Sequence, residues 1–168
     1  MKRKLMLLAL SALLSAPLAA QFPVPQIRPF VTGGHTVYAY CPQPGFYPIE
    51  MWIWCQPGPR GMICAEFSVD YPATIIRAAV EANMDIYSVS IGDLDYGISV
   101  CYNTCQYDWH WIYHQTLYVT QPTPGIVGIE GHLDTGVMQI ANCLEGYPLE
   151  EASSWLGLYY NDPCPDEP

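Results

Sequence analysis

Met62 to Tyr71, MICAEFSVDY, is the stretch that decides the fold class. Ile63, Ala65, Phe67, Val69 and Tyr71 fall on one face, and Cys64, Glu66, Ser68 and Asp70 fall on the other. Alternation with period two marks a β-strand with one buried face, so Phe67 and Val69 are expected in a core. Upstream, Thr36–Cys41 and Ile49–Cys55 are rich in Tyr, Trp and Ile and flank the turn-like CPQPGFYP, which reads as strand, turn, strand. Downstream, Pro72–Glu81 places Ile75, Ile76, Ala79 and Val80 at helical spacing behind a proline suited to a first turn, so the local expectation is a short helix. Met84–Ile91 and Ile98–Tyr102 return to strand character around the turn GDLDYG.

The longest strand candidate is Asp108–Thr120, DWHWIYHQTLYVT. Unbroken alternation puts Trp109, Trp111, Tyr113, Leu117 and Val119 on one face, expected to line the core. The opposite face, with His110, Ile112, His114, Thr116 and Tyr118, is then outermost and is the candidate binding face. Ile126–His132 and Val137–Cys143 around GHLDTG read as a hairpin, and Leu156–Tyr160 as a last strand. Sixteen prolines and thirteen glycines punctuate the chain into short segments. Eight or nine short strands with at most one short helix predict an all-β, two-sheet antiparallel sandwich of immunoglobulin-like or jelly-roll type. The expected layout is a lead-in over 21–35, a single domain over 36–162 and an acidic, Pro-rich tail over 163–168.

The N-terminus reads as a secretory signal peptide over 1–20. Lys2, Arg3 and Lys4 precede the apolar run Leu5–Leu14, and small residues offer a cleavage site between Ala20 and Gln21. That run is shorter than the roughly 20 apolar residues a membrane span needs, and no transmembrane segment is expected in the mature chain. Cleavage would leave three basic residues, Arg28, Arg60 and Arg77, against all sixteen acidic ones, a net charge of −13. Nucleic acid is excluded as a partner, because counterion-release binding needs several Lys or Arg contacts. In an exported chain, secreted or periplasmic, the seven cysteines are read as disulfides. Local spacing suggests Cys55–Cys64, Cys101–Cys105 and Cys143–Cys164, leaving Cys41 over, although many other pairings stay open.

Three segments together, GMICAEFSVDYP, CQYDWHWIYHQTLYVT and GHLDTGVMQIANC, resemble a group of uncharacterised secreted bacterial β-sandwich proteins. More loosely they resemble the cohesin-like and carbohydrate-binding-module-like superfamily. The resemblance spans Thr36 to Cys143. It implies a cohesin-like sandwich in which Pro72–Val80 is a turn and strand rather than a helix, and it carries over no catalytic residues.

The remaining motifs carry little chemistry. His110 and His114 form an HxxxH pair, but on a strand they sit roughly 13 Å apart, too far to share one ion. His132 and Asp134 in GHLDTG read as a turn with an Asp initiator. Asp93/Asp95 and Glu150/Glu151 could hold calcium, but no EF-hand pattern is present, and solvated loop acids are the expectation. There is no GxSxG, HExxH or CxxC. The expectation is a non-enzymatic binding or structural module with a protein or glycan partner and no cofactor. The alternatives are a hydrolase with a carboxylate pair or Cys-His site, and a calcium-stabilised structural domain.

Overall fold

In Tyr47–Gln56, strand β3, every second side chain from Tyr47 to Cys55 is buried, and Glu50, Trp52, Trp54 and Gln56 alternate with them on the other side. That pattern sets the frame of a four-stranded antiparallel sheet. β3 pairs with β1 (Gln26–Phe30) on one side and with β8 (His110–Val119) on the other, and β8 pairs in turn with β5 (Ile75–Ala82). The computed structural model describes residues 24–37, 39–40, 46–154 and 157–161. The expected signal peptide, Cys41, Cys164 and the acidic tail lie outside the described residues.

The second sheet is built on β4 (Met62–Asp70), which pairs antiparallel with β7 (Gly97–Gln106), β9 (Gly125–Glu130) and β10 (Gln139–Ala141). β6 (Tyr87–Asp93) extends it beyond β7, and β11 (Leu149–Glu151) extends it beyond β10. β12 (Leu158–Tyr160) pairs with β9, and β2 (Ala39–Tyr40) lies parallel to β12. The alternation of β4 places Ala65, Phe67 and Val69 against the first sheet, at most 2% exposed. They meet Ile49, Met51, Ile53, Leu117 and Val119 from β3 and β8 in one core that also takes in Val100, Val127, Ile140 and Leu158. Burying one such side chain contributes about 1.5–3 kcal/mol. The fold is therefore an all-β, two-sheet sandwich.

Several local expectations are corrected. The 21–35 lead-in contributes β1, an edge strand of the first sheet. No helix occurs among the described residues, and Ile75–Ala82 is strand β5. Its register slips between Arg77 and Ala79, so the bulge at Ala78 shifts the apolar residues off strict alternation and gives them helix-like spacing. β9 and β10 do not pair with each other; each pairs with β4.

All three expected disulfides are overturned. Cys64 pairs with Cys101, its cross-strand neighbour on β7 with Cα atoms 4.0 Å apart, and Cys105 pairs with Cys143. Cys101 and Cys105 both lie on the extended β7, roughly 13 Å apart at 3.3 Å per residue, well beyond the reach of a disulfide. Cys55 and Cys64 stand on strands of different sheets, with Cys55 a free, buried thiol. Cys143 is already taken by Cys105, so it cannot bond Cys164.

The core carries phenols with a pH consequence. Burial pushes the Tyr113 hydroxyl above its ordinary range, with a hydrogen bond involving Ser90 partly opposing. Burial does the same to Tyr71, which faces Arg77 and donates to Gln115 Oε1 at 2.6 Å. An unfolded tyrosine loses its proton near pH 10 while these keep theirs. The unfolded state then binds fewer protons, so stability holds below pH ~10 and falls as pH rises beyond it. Denaturation midpoints measured from pH 9 to 11 should decline, and the decline should be shallower in Tyr113→Phe/Tyr71→Phe. An equal decline in that variant would refute the assignment.

Candidate functional site

Among the described residues, the outer face of the four-stranded sheet gathers tryptophan, histidine and tyrosine side chains from β3 and β8. β3 presents Glu50, Trp52 and Trp54 outward, and β8 opposes them with Thr116, His114 and Trp111. The register between the two strands shifts at Ile53/Trp54: Ile53 faces Tyr113, Trp54 faces Trp111, and Ile112 is the extra residue. A bulge reverses the side-chain parity of the strand beyond it. Ile112 and Tyr113 are therefore consecutive and both buried, at 2% and 5% exposure.

The expected binding face is consequently split. His114, Thr116 and Tyr118 do face outward, half-buried, whereas His110 and Ile112 point into the sandwich. Of the expected core set, Phe67, Val69, Tyr113, Leu117 and Val119 are buried, whereas Trp109 and Trp111 are half-exposed on the outer face. The bulge is the physical cause of both departures. The spacing of β3 carried the missing half of the face: Glu50, Trp52 and Trp54 are its non-core positions.

The aromatic side chains line this face in two groups, with the Glu50–Thr116 pair between them. Phe46, 63% exposed, stacks on Tyr118 with centroids 4.8 Å apart, and the exposed Ile76 is Tyr118's neighbour on β5. His114 stacks on Trp52 at 4.0 Å, and Trp52 meets Trp111 edge-on at 5.2 Å. At the far end His35 stacks flat on Trp109 at 4.9 Å and tilts against Trp54 at 4.7 Å, while Arg28 lies over Trp109. The loop carrying His35 is closed by a Val31 N–H bond to the Val37 carbonyl. Each aromatic pair contributes about 0.5–1.5 kcal/mol beyond its area burial, so each group is held in a defined shape.

Charge is placed along the same face. His114 Nε2 lies 2.7 Å from Glu50 Oε2, and its Nδ1 lies 3.7 Å from Glu81 Oε2. Glu50 also accepts a hydrogen bond from Thr116 Oγ1 at 3.1 Å. The Glu50 side chain is partly exposed, at 43%, and that of Glu81 largely so, at 73%.

The other sequence candidates are engaged in structural work. His132 and Asp134 shape the turn after β9: the Asp134 N–H donates to His132 Nδ1, and Tyr96 donates its hydroxyl to Asp134. Asp93 accepts from the Tyr96 N–H, and Asp95 takes both terminal nitrogens of Arg77. Glu150 accepts from Arg60 and Asn142. Among the described residues no three His, Cys, Asp or Glu side chains are grouped to hold a metal ion. Nor is any helix there long and apolar enough to cross a membrane. A cleft of about 340 Å³ on the second sheet is lined by Ser68, Asp70, Tyr71, Asp95, Glu130 and Leu133, among others.

No protein-family model matches the sequence, and no curated protein is similar to it. Solved structures do match the fold. The seventh ScaB type I cohesin of Pseudobacteroides cellulosolvens aligns over 85% of this chain and 97% of its own, with a TM-score of 0.50 and 12% identity. The sixth cohesin of Acetivibrio cellulolyticus scaffoldin B, in complex with a Cel5 dockerin, aligns over 82% and 98% with a TM-score of 0.52 and 12% identity. A type I cohesin–dockerin complex of Clostridium thermocellum, OlpA with Doc918, aligns over 82% and 97% with a TM-score of 0.51 and 13% identity. The sandwich is cohesin-like.

Proposed function

We propose that this chain is an exported, non-catalytic β-sandwich module that docks a protein partner on the outer face of its four-stranded sheet. The observation that carries the proposal is the aromatic row in its two groups, Phe46 with Tyr118 and Trp52 and Trp111 with Trp54 and Trp109, with Glu50 and Glu81 beside it. Trp and Tyr dominate interface energetics because they bury large, rigid surface at little entropic cost. Two of the cohesin structures of the same fold are complexes with dockerins, which favours a protein over a glycan as the partner. Export is supported by the signal-like N-terminus and by two disulfides, which persist in oxidising compartments. A mature charge of −13 suits a neutral or basic partner.

Trp52→Ala/Tyr118→Ala should abolish capture, by cross-linking in the native secretome, of a partner that the unaltered chain retains. Two lost anchors of this type weaken binding about 30-fold or more. Ile91→Ser on β6, in the other sheet, should leave capture intact. A partner kept by the double variant, or retention on insoluble polysaccharide alone, would overturn the reading.

A second reading, a hydrolase acting through a carboxylate pair, is favoured only by the cleft holding Asp70, Asp95 and Glu130. Asp95 is already held by Arg77. Release of reducing sugar from a polysaccharide panel, lost in Glu130→Gln, would establish it. For Cys55, the free cysteine among the described residues, burial opposes the Cys-His version: it is wholly enclosed and its thiol is pushed far above its ordinary range, the opposite of an activated nucleophile.

A further inference from the structure

At one end of the sandwich, four side chains from four strands converge between the sheets: Cys55 of β3, Met62 of β4, Tyr102 of β7 and His110 of β8. Cys55 and Met62 are wholly buried, with Sγ and Sδ 3.4 Å apart. His110 is the cross-strand partner of Cys55, and its ring meets that of Tyr102 edge-on at 5.1 Å. His110 is 8% exposed and Tyr102 5%, and neither His110 Nε2 nor the Tyr102 hydroxyl has a hydrogen-bond partner. His110 Nδ1 lies 2.9 Å from the Asp108 carbonyl oxygen. A carbonyl can only accept, so Nδ1 carries the proton and Nε2 presents a lone pair to the interior. Metal-ligating histidines are oriented in this way, with the second nitrogen donating to a backbone carbonyl or carboxylate.

We infer that this cluster is a binding site for one copper(I) ion, ligated by Cys55 Sγ, Met62 Sδ and His110 Nε2, with the Tyr102 hydroxyl in the surrounding shell. Thiolate and thioether together select a soft monovalent metal. Two sulfurs about 2.3 Å from one ion and 3.4 Å apart subtend about 95° at it. Spreading them by about 0.6 Å reaches the roughly 120° angle of a three-coordinate ion. Binding exchanges the Cys55 thiol proton, released to solvent, for one copper(I), with no change in oxidation state. The net charge of the enclosed pocket is therefore unchanged. Zinc(II) or copper(II) would leave one positive charge in an apolar interior, a cost of several kcal/mol. The ion also occupies Nε2, an acceptor otherwise buried without a partner.

Anaerobic titration with copper(I) supplied as its acetonitrile complex, without a thiol reductant so that both disulfides survive, tests the site on the intact protein. One copper should remain per chain after desalting, and X-ray absorption should show two sulfurs and one nitrogen as neighbours. The ion should also raise the melting temperature. Met62→Leu, which preserves volume and apolarity, should fold, lose one sulfur from the spectrum and bind at least ten-fold more weakly. His110→Gln should lose the nitrogen and weaken similarly. Copper not retained by the folded protein would overturn the inference and leave the buried polar atoms to a water molecule. Retention unaltered by both variants would place the ion elsewhere and overturn it too, as would stoichiometric zinc held in preference to copper(I).

Discussion

Reducing both disulfides should unfold the domain at room temperature. Cys64–Cys101 and Cys105–Cys143 span 37 and 38 residues along the chain. In the chain-entropy account, a closed loop of that length removes about 4 kcal/mol of freedom from the unfolded state. The two loops follow one another and share no residues, so their effects should roughly add. A sum of about 8 kcal/mol is comparable to the whole stability of a typical domain, ~5–15 kcal/mol. The two bonds also act at different places. Cys64–Cys101 staples strands already joined by a ladder, whereas Cys105–Cys143 ties the end of β7 to the segment after β10, with no ladder between those strands. Denaturant curves of the oxidised and the reduced, alkylated protein measure the effect. A shift under about 1 kcal/mol would exclude a structural role for the bonds. In the oxidised native state Cys55 should resist alkylation and become reactive only on unfolding, since burial keeps its thiol protonated.

What could be read in advance follows from where the backbone is regular. From Ala65 to Val69, β4 runs without a bulge, so alternation alone placed Phe67 and Val69 correctly inside. Disulfide partners were illegible because they are set by strand register: Cys64 meets Cys101 only once β4 and β7 are aligned. In β8, WHWIYH carries bulky residues at every position, so neither face looks polar and nothing in the pattern marks the extra residue at Ile112. Three aromatics two apart read as a core stripe, but the bulge divides them, leaving Trp109 and Trp111 outside and Tyr113 inside. The β3 half of the outer face was legible as alternation. Which of its faces is outermost depends on the opposing sheet, and that was not.

The bulge makes a quantitative claim that reverses an intuition about residue size. Ile112→Ala should cost more stability than Trp111→Ala, although tryptophan is far the larger side chain. Ile112 is 2% exposed between the sheets, and truncating a buried isoleucine to alanine costs about 2–5 kcal/mol through lost transfer energy and the cavity left behind. Trp111 lies half-exposed on the outer face, edge-on to Trp52 at 5.2 Å. Its removal forfeits one aromatic pair, about 0.5–1.5 kcal/mol, with little cavity, because solvent fills the gap. Under unbroken alternation Trp111 would be a core residue costing about 3–5 kcal/mol, and Ile112 would be the near-neutral surface change. Urea denaturation with an unchanged m-value separates the two cases. The same pair divides stability from recognition: Ile112→Ala should leave the outer aromatic row and its partner binding intact, while Trp111→Ala should weaken binding in a protein that still folds. If Trp111→Ala proves the more destabilising, the bulge is misplaced, and the aromatic row loses its claim to be a binding surface along with it.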